Sequence, residues 1–138
     1  MSSLESQLIR DEGLRLLPYV DTTGNITIGV GRNLTRNGIT QKEAMILLED
    51  DINTIKSLAT RQWPWISTLS EPRKAVLFNM AFNMGVGGLI TFIHFLDYVK
   101  EGMYDKASQA MLQSLWAKQV GERATRLSQQ MESGEWVD

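Results

Sequence analysis

The chain has 138 residues, of which 43% are hydrophobic and 22% are charged. This length and balance predict one globular domain and exclude a disordered or fibrous chain. Basic and acidic residues nearly cancel, with 14 Lys+Arg against 16 Asp+Glu. Because nucleic-acid binding draws on a basic surplus, we expect no nucleic-acid partner, and a helical DNA-binding or regulatory protein is disfavoured.

Residues that commonly hold metals or form disulfides are scarce in this sequence. There is no cysteine and only one histidine, His94, so we expect no metal site and no other cofactor. The N-terminus lacks the basic flank and apolar run of a secretory signal, and no apolar run reaches the ~18 residues of a membrane-spanning helix. We therefore expect a monomer, made in the cytoplasm without a signal peptide and without stable membrane association.

The first forty residues predict a short helix followed by a small sheet. Apolar residues at helical spacing predict a helix that reaches about Glu12 and ends at Gly13. The apolar positions are Leu4, Leu8 and Ile9. Beyond it, β-prone runs alternate with the turn signals Thr22-Thr23-Gly24-Asn25 and Asn37-Gly38. We expect an antiparallel sheet confined to about residues 18–40.

The remainder of the chain predicts helices. Thr40 and Glu43 have the spacing of a capping box, and the apolar stripe behind them predicts a helix over about 41–59. Glycines and a proline delimit further helices over about 70–84, 91–101, 105–116 and 122–133. The fold class is therefore α+β, mainly α. We expect a β-containing lobe over about 13–40, a linking helix over 41–59, and a helical lobe over about 60–138 packed with residues 1–12.

Two carboxyl groups and a hydroxyl lie in the predicted helix and hairpin. Glu12 ends the helix, Asp21 closes the first strand, and Thr27 lies on the returning strand. Acid-assisted cleavage of a glycosidic bond needs one carboxylic acid to protonate the leaving oxygen and a carboxylate that acts on water or on the developing charge. Spacing alone leaves ordinary structural roles open for each of the three residues.

Longer motifs of the sequence closely resemble the phage-type lysozymes, which are peptidoglycan-cleaving glycoside hydrolases. The N-terminal match consists of Asp11-Glu12-Gly13-Leu14-Arg15-Leu16, Tyr19, Asp21-Thr22, Gly24 and Thr27-Ile28-Gly29-Val30-Gly31. Further matches are Asn79-Met80-Ala81-Phe82-Asn83-Met84-Gly85, Trp116, Glu122-Arg123-Ala124-Thr125-Arg126 and Gly134-Glu135-Trp136. The resemblance covers nearly the whole chain and is to the compact members of the family, in which the segment before Thr40 is short.

This resemblance implies a two-lobed lysozyme-like fold and a muramidase that hydrolyses the β-1,4 bond between N-acetylmuramic acid and N-acetylglucosamine. It makes Glu12 the general acid and Asp21 the second catalytic carboxylate. It makes Thr27 a residue that helps to position the attacking water. It also places Arg123 beside the acid, where a guanidinium can pair with the carboxyl and orient it.

The resemblance further implies that Gly31, Phe82 and Asn83 bind substrate. At one position the chain departs from the family, because Arg32 stands where a histidine usually follows the glycine. An arginine at this position can still pair with an acid, with a different dependence on pH.

The same resemblance implies a bacteriolytic phage endolysin whose partner is the glycan strand of peptidoglycan. Such a protein is made in the host cytoplasm and reaches the cell wall after release through the inner membrane. Two alternatives stay open at this point. One is a non-catalytic relative that only binds the wall, and the other is a lytic transglycosylase.

Overall fold

The computed structural model describes residues 3–138, and the chain forms two compact units, Met1–Leu47 and Leu48–Asp138. Helices dominate, and a three-stranded antiparallel sheet lies near the N-terminus. The predicted α+β, mainly α class is confirmed.

The first unit contains helix α1 (Leu4–Glu12), strands β1 (Arg15–Val20), β2 (Ile26–Gly29) and β3 (Arg32–Asn33), and the short helix α2 (Leu34–Asn37). The strands follow one another in the sheet in chain order. As predicted, α1 reaches Glu12 and is stopped by Gly13, whose N–H donates to the Ile9 carbonyl at 2.8 Å.

The sheet differs from the prediction at its start. Strand β1 begins at Arg15 rather than near Pro18, because the β1–β2 register shifts between Arg15 and Tyr19. An irregularity of this kind accommodates a proline, which has no N–H for the ladder. The sheet ends within the predicted range, at Asn33, which accepts a hydrogen bond from the Arg36 N–H at 3.0 Å and caps α2, a helix that was not predicted.

Helix α3 (Gln41–Gln62) begins in the first unit and ends in the second. The predicted capping box is confirmed: the Thr40 N–H donates to Glu43 Oε1 at 2.8 Å, and the Glu43 N–H donates to Thr40 Oγ1 at 3.1 Å. The helix extends three residues beyond the predicted end, and a 3-10 segment (Pro64–Thr68) follows it. The proline begins that segment, where its missing N–H costs no helical hydrogen bond.

The second unit continues with α4 (Glu71–Ile90), α5 (Ile93–Lys100), α6 (Tyr104–Leu112), α7 (Leu115–Val120) and α8 (Glu122–Ser133). The glycine interruption predicted after Met84 is a bend inside α4, where Gly85 has φ +77°. The single helix predicted over 105–116 was wrong. The Ser114 side chain accepts a hydrogen bond from the Ala117 N–H at 3.1 Å and caps a separate helix that carries Trp116.

The apolar core of the second unit is built mainly from α4, α5, α6 and α8. Its largest fully buried side chains are Phe95, Ile66, Leu77, Met80, Leu89, Met111, Met131, Val76 and Val99. Within residues 3–138, no single helix is both long and apolar enough to cross a membrane, and α4 and α5 meet both conditions only together, as a pair bent by 107°.

Candidate active site

Glu12 and Gly31 lie against each other in the first unit. Glu12 is the last residue of α1, and Gly31 lies in the turn between β2 and β3 with φ +64°. A methyl group on Gly31 would lie 2.9 Å from Glu12 Oε2 and 3.2 Å from Cδ. Only glycine therefore fits at this position without displacing the Glu12 carboxyl group.

The Asp21 carboxylate is held by the turn that it begins. Asp21 Oδ1 accepts hydrogen bonds from the Asn25 N–H at 2.9 Å, the Thr23 N–H at 2.9 Å and the Thr23 hydroxyl at 2.8 Å. These donors, the Asn25 amide first, lower the pKa of Asp21 below its ordinary value. Asp21 is therefore ionised at neutral pH, and its second oxygen Oδ2 has no protein donor within the described part of the first unit.

Thr27 lies on the middle strand and faces the same side of the hairpin as Asp21. Tyr19 pairs with Thr27 across the β1–β2 ladder, and Asp21 follows Tyr19 by two residues. Asp21 lies one residue beyond β1, and its N–H donates to the Asn25 carbonyl at 2.9 Å, which continues the ladder and makes Asp21 and Thr27 diagonal neighbours. The Thr27 side chain is buried and its hydroxyl donates to the Asn25 carbonyl at 3.1 Å, which leaves the oxygen as an acceptor for water.

Arg32 pairs with an acid, and that acid is Glu43. The Arg32 Nη1 and Nη2 atoms donate to Glu43 Oε1 and Oε2 at 2.9 and 2.8 Å, a two-point contact between strand β3 and the first turn of α3. Nη1 also donates to the Gly38 carbonyl at 3.2 Å. Arg32, with the Thr40 N–H, lowers the pKa of Glu43 from its ordinary 4.5 to about 2.

This ion pair predicts a specific dependence of stability on pH. A carboxyl whose pKa is depressed by folding stabilises the folded state above its ordinary pKa, and the stabilisation is lost as the pH falls toward about 2. We expect Glu43→Gln to lower the thermal midpoint at pH 7, since the amide keeps an acceptor for the cap but loses the charge. The difference in thermal midpoint between wild type and Glu43→Gln should become smaller as the pH falls from 4.5 to about 2.

The measurement is the thermal midpoint of wild type and Glu43→Gln across that range. Glu49→Gln, which changes an exposed glutamate of the same helix, is the matched control and should follow wild type. A gap that stays constant down to pH 2 would contradict the role assigned to the pair.

On the second unit, Arg123 and Phe82 line one cavity of about 370 Å³ between α3, α4 and α8. The Arg123 guanidinium is oriented by Asn79, because Nε and Nη2 donate to Asn79 Oδ1 at 3.0 and 2.7 Å. The predicted pairing of Arg123 with Glu12 stays a prediction.

Asn83 has a structural partner on the same unit. Its Oδ1 accepts a hydrogen bond from the Trp116 indole N–H at 2.8 Å, which joins α4 to α7. Trp116 in turn lines a separate cavity of about 630 Å³ together with Phe92 and Ser114. Asn83 therefore fixes a wall residue of this larger cavity, and it does not line the one that contains Phe82 and Arg123.

The residues that hold the Asp21 and Arg123 side chains were not predicted from the sequence. Thr23 and Asn25 follow Asp21 by two and four residues, a spacing typical of a side chain that caps its own turn, so a local signal was present. Asn79 lies 44 residues from Arg123. No local pattern in the sequence predicts that contact.

Comparison with known proteins identifies the family. Residues 10–132 match the sequence model of the phage lysozyme family. The chain belongs to the phage lysozyme family. The enzyme class predicted from the motifs, a glycoside hydrolase of the lysozyme type, is thereby confirmed.

Individual relatives of this phage lysozyme family member differ in length. The chain is 36% identical, over 91% of its length, to the pre-baseplate central spike protein of Enterobacteria phage T4, and it spans 27% of that protein. It is 31% and 29% identical, over 97% of its length, to probable T4-type lysozymes 1 and 2 of Dictyostelium discoideum, and it spans 96% of each.

Proposed function

We propose that this chain is a muramidase that hydrolyses the β-1,4 bond between N-acetylmuramic acid and N-acetylglucosamine in peptidoglycan. The observation that carries the proposal is the ionised Asp21 carboxylate, fixed by three hydrogen bonds on the hairpin face that also presents Thr27. A carboxylate and a hydroxyl oxygen in this arrangement can bind one water molecule, which donates one hydrogen bond to each of them.

Glu12 is the proposed general acid. In the described part of the first unit no donor binds its carboxyl group, and the Gly31 backbone defines the space beside it. The proton moves from Glu12 to the oxygen of the leaving N-acetylglucosamine as the glycosidic bond breaks. We propose that Arg123, itself held by Asn79, pairs with Glu12 and orients it.

Asp21 and Thr27 act on the water. The water oxygen bonds to the anomeric carbon of N-acetylmuramic acid, and one of its protons passes to Asp21, which returns it to solvent, while Glu12 regains a proton from solvent. The Thr27 oxygen accepts a hydrogen bond from the other hydrogen of the water and so orients it, because the Thr27 hydroxyl donates its own hydrogen to the Asn25 carbonyl; that other hydrogen stays on the new anomeric hydroxyl. We further propose that Gly31, Phe82 and Asn83 contribute to binding of the glycan.

The proposed biological setting is host-cell lysis by a phage. In this setting the chain is a monomeric endolysin made in the bacterial cytoplasm, and it acts on the wall after release through the inner membrane. Its partner is the glycan strand, without nucleic acid and without stable membrane association. Membership of the phage lysozyme family supports this setting.

Asp21→Asn separates the hydrolase from its alternatives. Wild type should clear a suspension of bacterial walls, which a protein that only binds glycan does not do. The variant should lose about 10²–10⁴-fold in clearing rate, the usual contribution of a positioned acid or base. A lytic transglycosylase depends on one essential acid and would retain most of its rate.

The matched control for this variant is Asp50→Asn, which makes the same chemical change on the exposed face of α3. It should clear walls at the wild-type rate. Equal rates for Asp21→Asn and Asp50→Asn would contradict the role of Asp21 in handling water.

A further inference from the structure

We infer that the second unit carries an additional saccharide-binding site, formed by the 3-10 segment Pro64–Thr68 and helix α5. The two elements line a cavity of about 440 Å³, within the range of roughly 300–1,000 Å³ typical of ligand pockets. The residues proposed for catalysis and substrate binding do not line it.

One wall of this cavity is aromatic and apolar. Trp65 is half-buried and packs against the core, while Trp63 beside it is 8% exposed. Ile93 lines the same cavity and is 63% exposed. A flat indole beside aliphatic side chains matches the C–H face of a pyranose ring, which is apolar although the edges of the ring are not.

The edges of a sugar ring carry hydroxyl groups that need hydrogen-bond partners, and three side chains of the cavity can supply them. Gln62, Asp97 and Lys100 line the cavity, and none of these side chains hydrogen-bonds or pairs with another residue of the described chain. Asp97 and Lys100 are three residues apart on α5 and therefore share a face. A carboxylate, an amide and an ammonium group together offer acceptors and donors to hydroxyl and N-acetyl groups.

These features select the class of ligand. One acid and one base cancel in charge, so the cavity has no excess of positive charge for a phosphate backbone. The combination of a half-buried tryptophan with exposed amide, carboxylate and ammonium groups fits an N-acetylated hexosamine. The choice of glycan rests on the proposed function, because a muramidase meets long strands that contain this sugar.

Binding at two places on one polymer raises the effective concentration of the enzyme at its substrate. The site is therefore expected to increase retention on intact walls without changing the cleavage of short soluble fragments. That difference separates a second binding site from a residue of the reaction centre.

The test uses the full chain with Glu12→Gln, so that added sugar survives. The probe is a soluble tetramer of β-1,4-linked N-acetylglucosamine, followed by the NMR signals of the four tryptophan indole N–H groups. The Trp65 signal should shift and saturate by about 10 mM sugar, tenfold above a weak Kd of about 1 mM. An unmoved Trp65 signal, with the protein folded, would overturn the inference.

Two variants in the same background sharpen the test. Trp65→Leu and Asp97→Ala should each weaken this binding at least tenfold and reduce co-sedimentation with walls, while Asp50→Ala should do neither. If Trp65→Leu does not fold, Asp97→Ala decides alone, through the Trp65 signal. An unchanged Kd in Asp97→Ala overturns the proposed polar contact and the site with it.

Failure of this inference and failure of the proposed function give different results. Wall clearing by the protein with its native Glu12 tests the muramidase, and the Trp65 titration tests the second site. If the protein clears walls but the Trp65 signal does not shift, only the second site is rejected. If sugar binds at Trp65 but walls are not cleared, only the proposed activity is rejected.

Discussion

Replacement of Glu12 by glutamine is expected to reduce wall hydrolysis by about 10²–10⁴-fold, because an amide cannot supply the proton that the leaving oxygen needs. The side chain is nearly the same size, so its packing against Gly31 should persist. Because the substitution keeps the size and shape of the last side chain of α1, the free energy of unfolding should stay close to that of wild type.

The measurement pairs the clearing rate of a wall suspension with the thermal midpoint for each variant. Glu5→Gln is the matched control, since it makes the same change in the first turn of the same helix. It should keep the wild-type rate. Near-normal clearing by a folded Glu12→Gln protein would remove the general acid from the mechanism.

The second large effect is expected at Gly31. Alanine at this position must adopt φ near +64° and places its methyl group 2.9 Å from Glu12 Oε2. The left-handed backbone costs roughly 1–2 kcal/mol of stability for a residue with a Cβ atom. The carboxyl group must also move, and misplacement by about 1 Å costs on the order of 10²-fold in rate.

Gly29 separates these two effects. Its φ of +69° is close to that of Gly31, but a methyl group there meets nothing within 4 Å. Gly29→Ala should therefore lose similar stability while retaining most of its clearing rate, and Gly31→Ala should lose both. Equal losses of rate in the two variants would show that backbone strain, rather than the contact with Glu12, controls activity.

Local chemistry explains which parts of the fold were predictable. The Thr40–Glu43 capping box and the stop at Gly13 depend on residues within one turn of each other, and both were predicted correctly. The start of β1 and the division between α6 and α7 were missed. In each case a local signal, Pro18 or Ser114, acts through an irregularity that periodicity does not encode.

The candidate site shows the same contrast between local and distant contacts. Asp21 and Thr27 could be placed near each other, because a hairpin brings residues at this spacing to one face. The contact of Gly31 with Glu12 and that of Asn79 with Arg123 join residues far apart in sequence. The first contact is determined by the path of the chain through the turn after β2, and the second by the packing of α4 on α8.

Cleavage of purified peptidoglycan in water enriched in ¹⁸O, with the masses of the fragments measured by mass spectrometry, tests the proposed hydrolysis most directly. Hydrolysis adds the water oxygen to the anomeric carbon, so each new end should be a reducing N-acetylmuramic acid that carries one heavy oxygen. Fragments that end in 1,6-anhydro-N-acetylmuramic acid without heavy oxygen would show internal transfer and would contradict the proposed handling of water by Asp21 and Thr27.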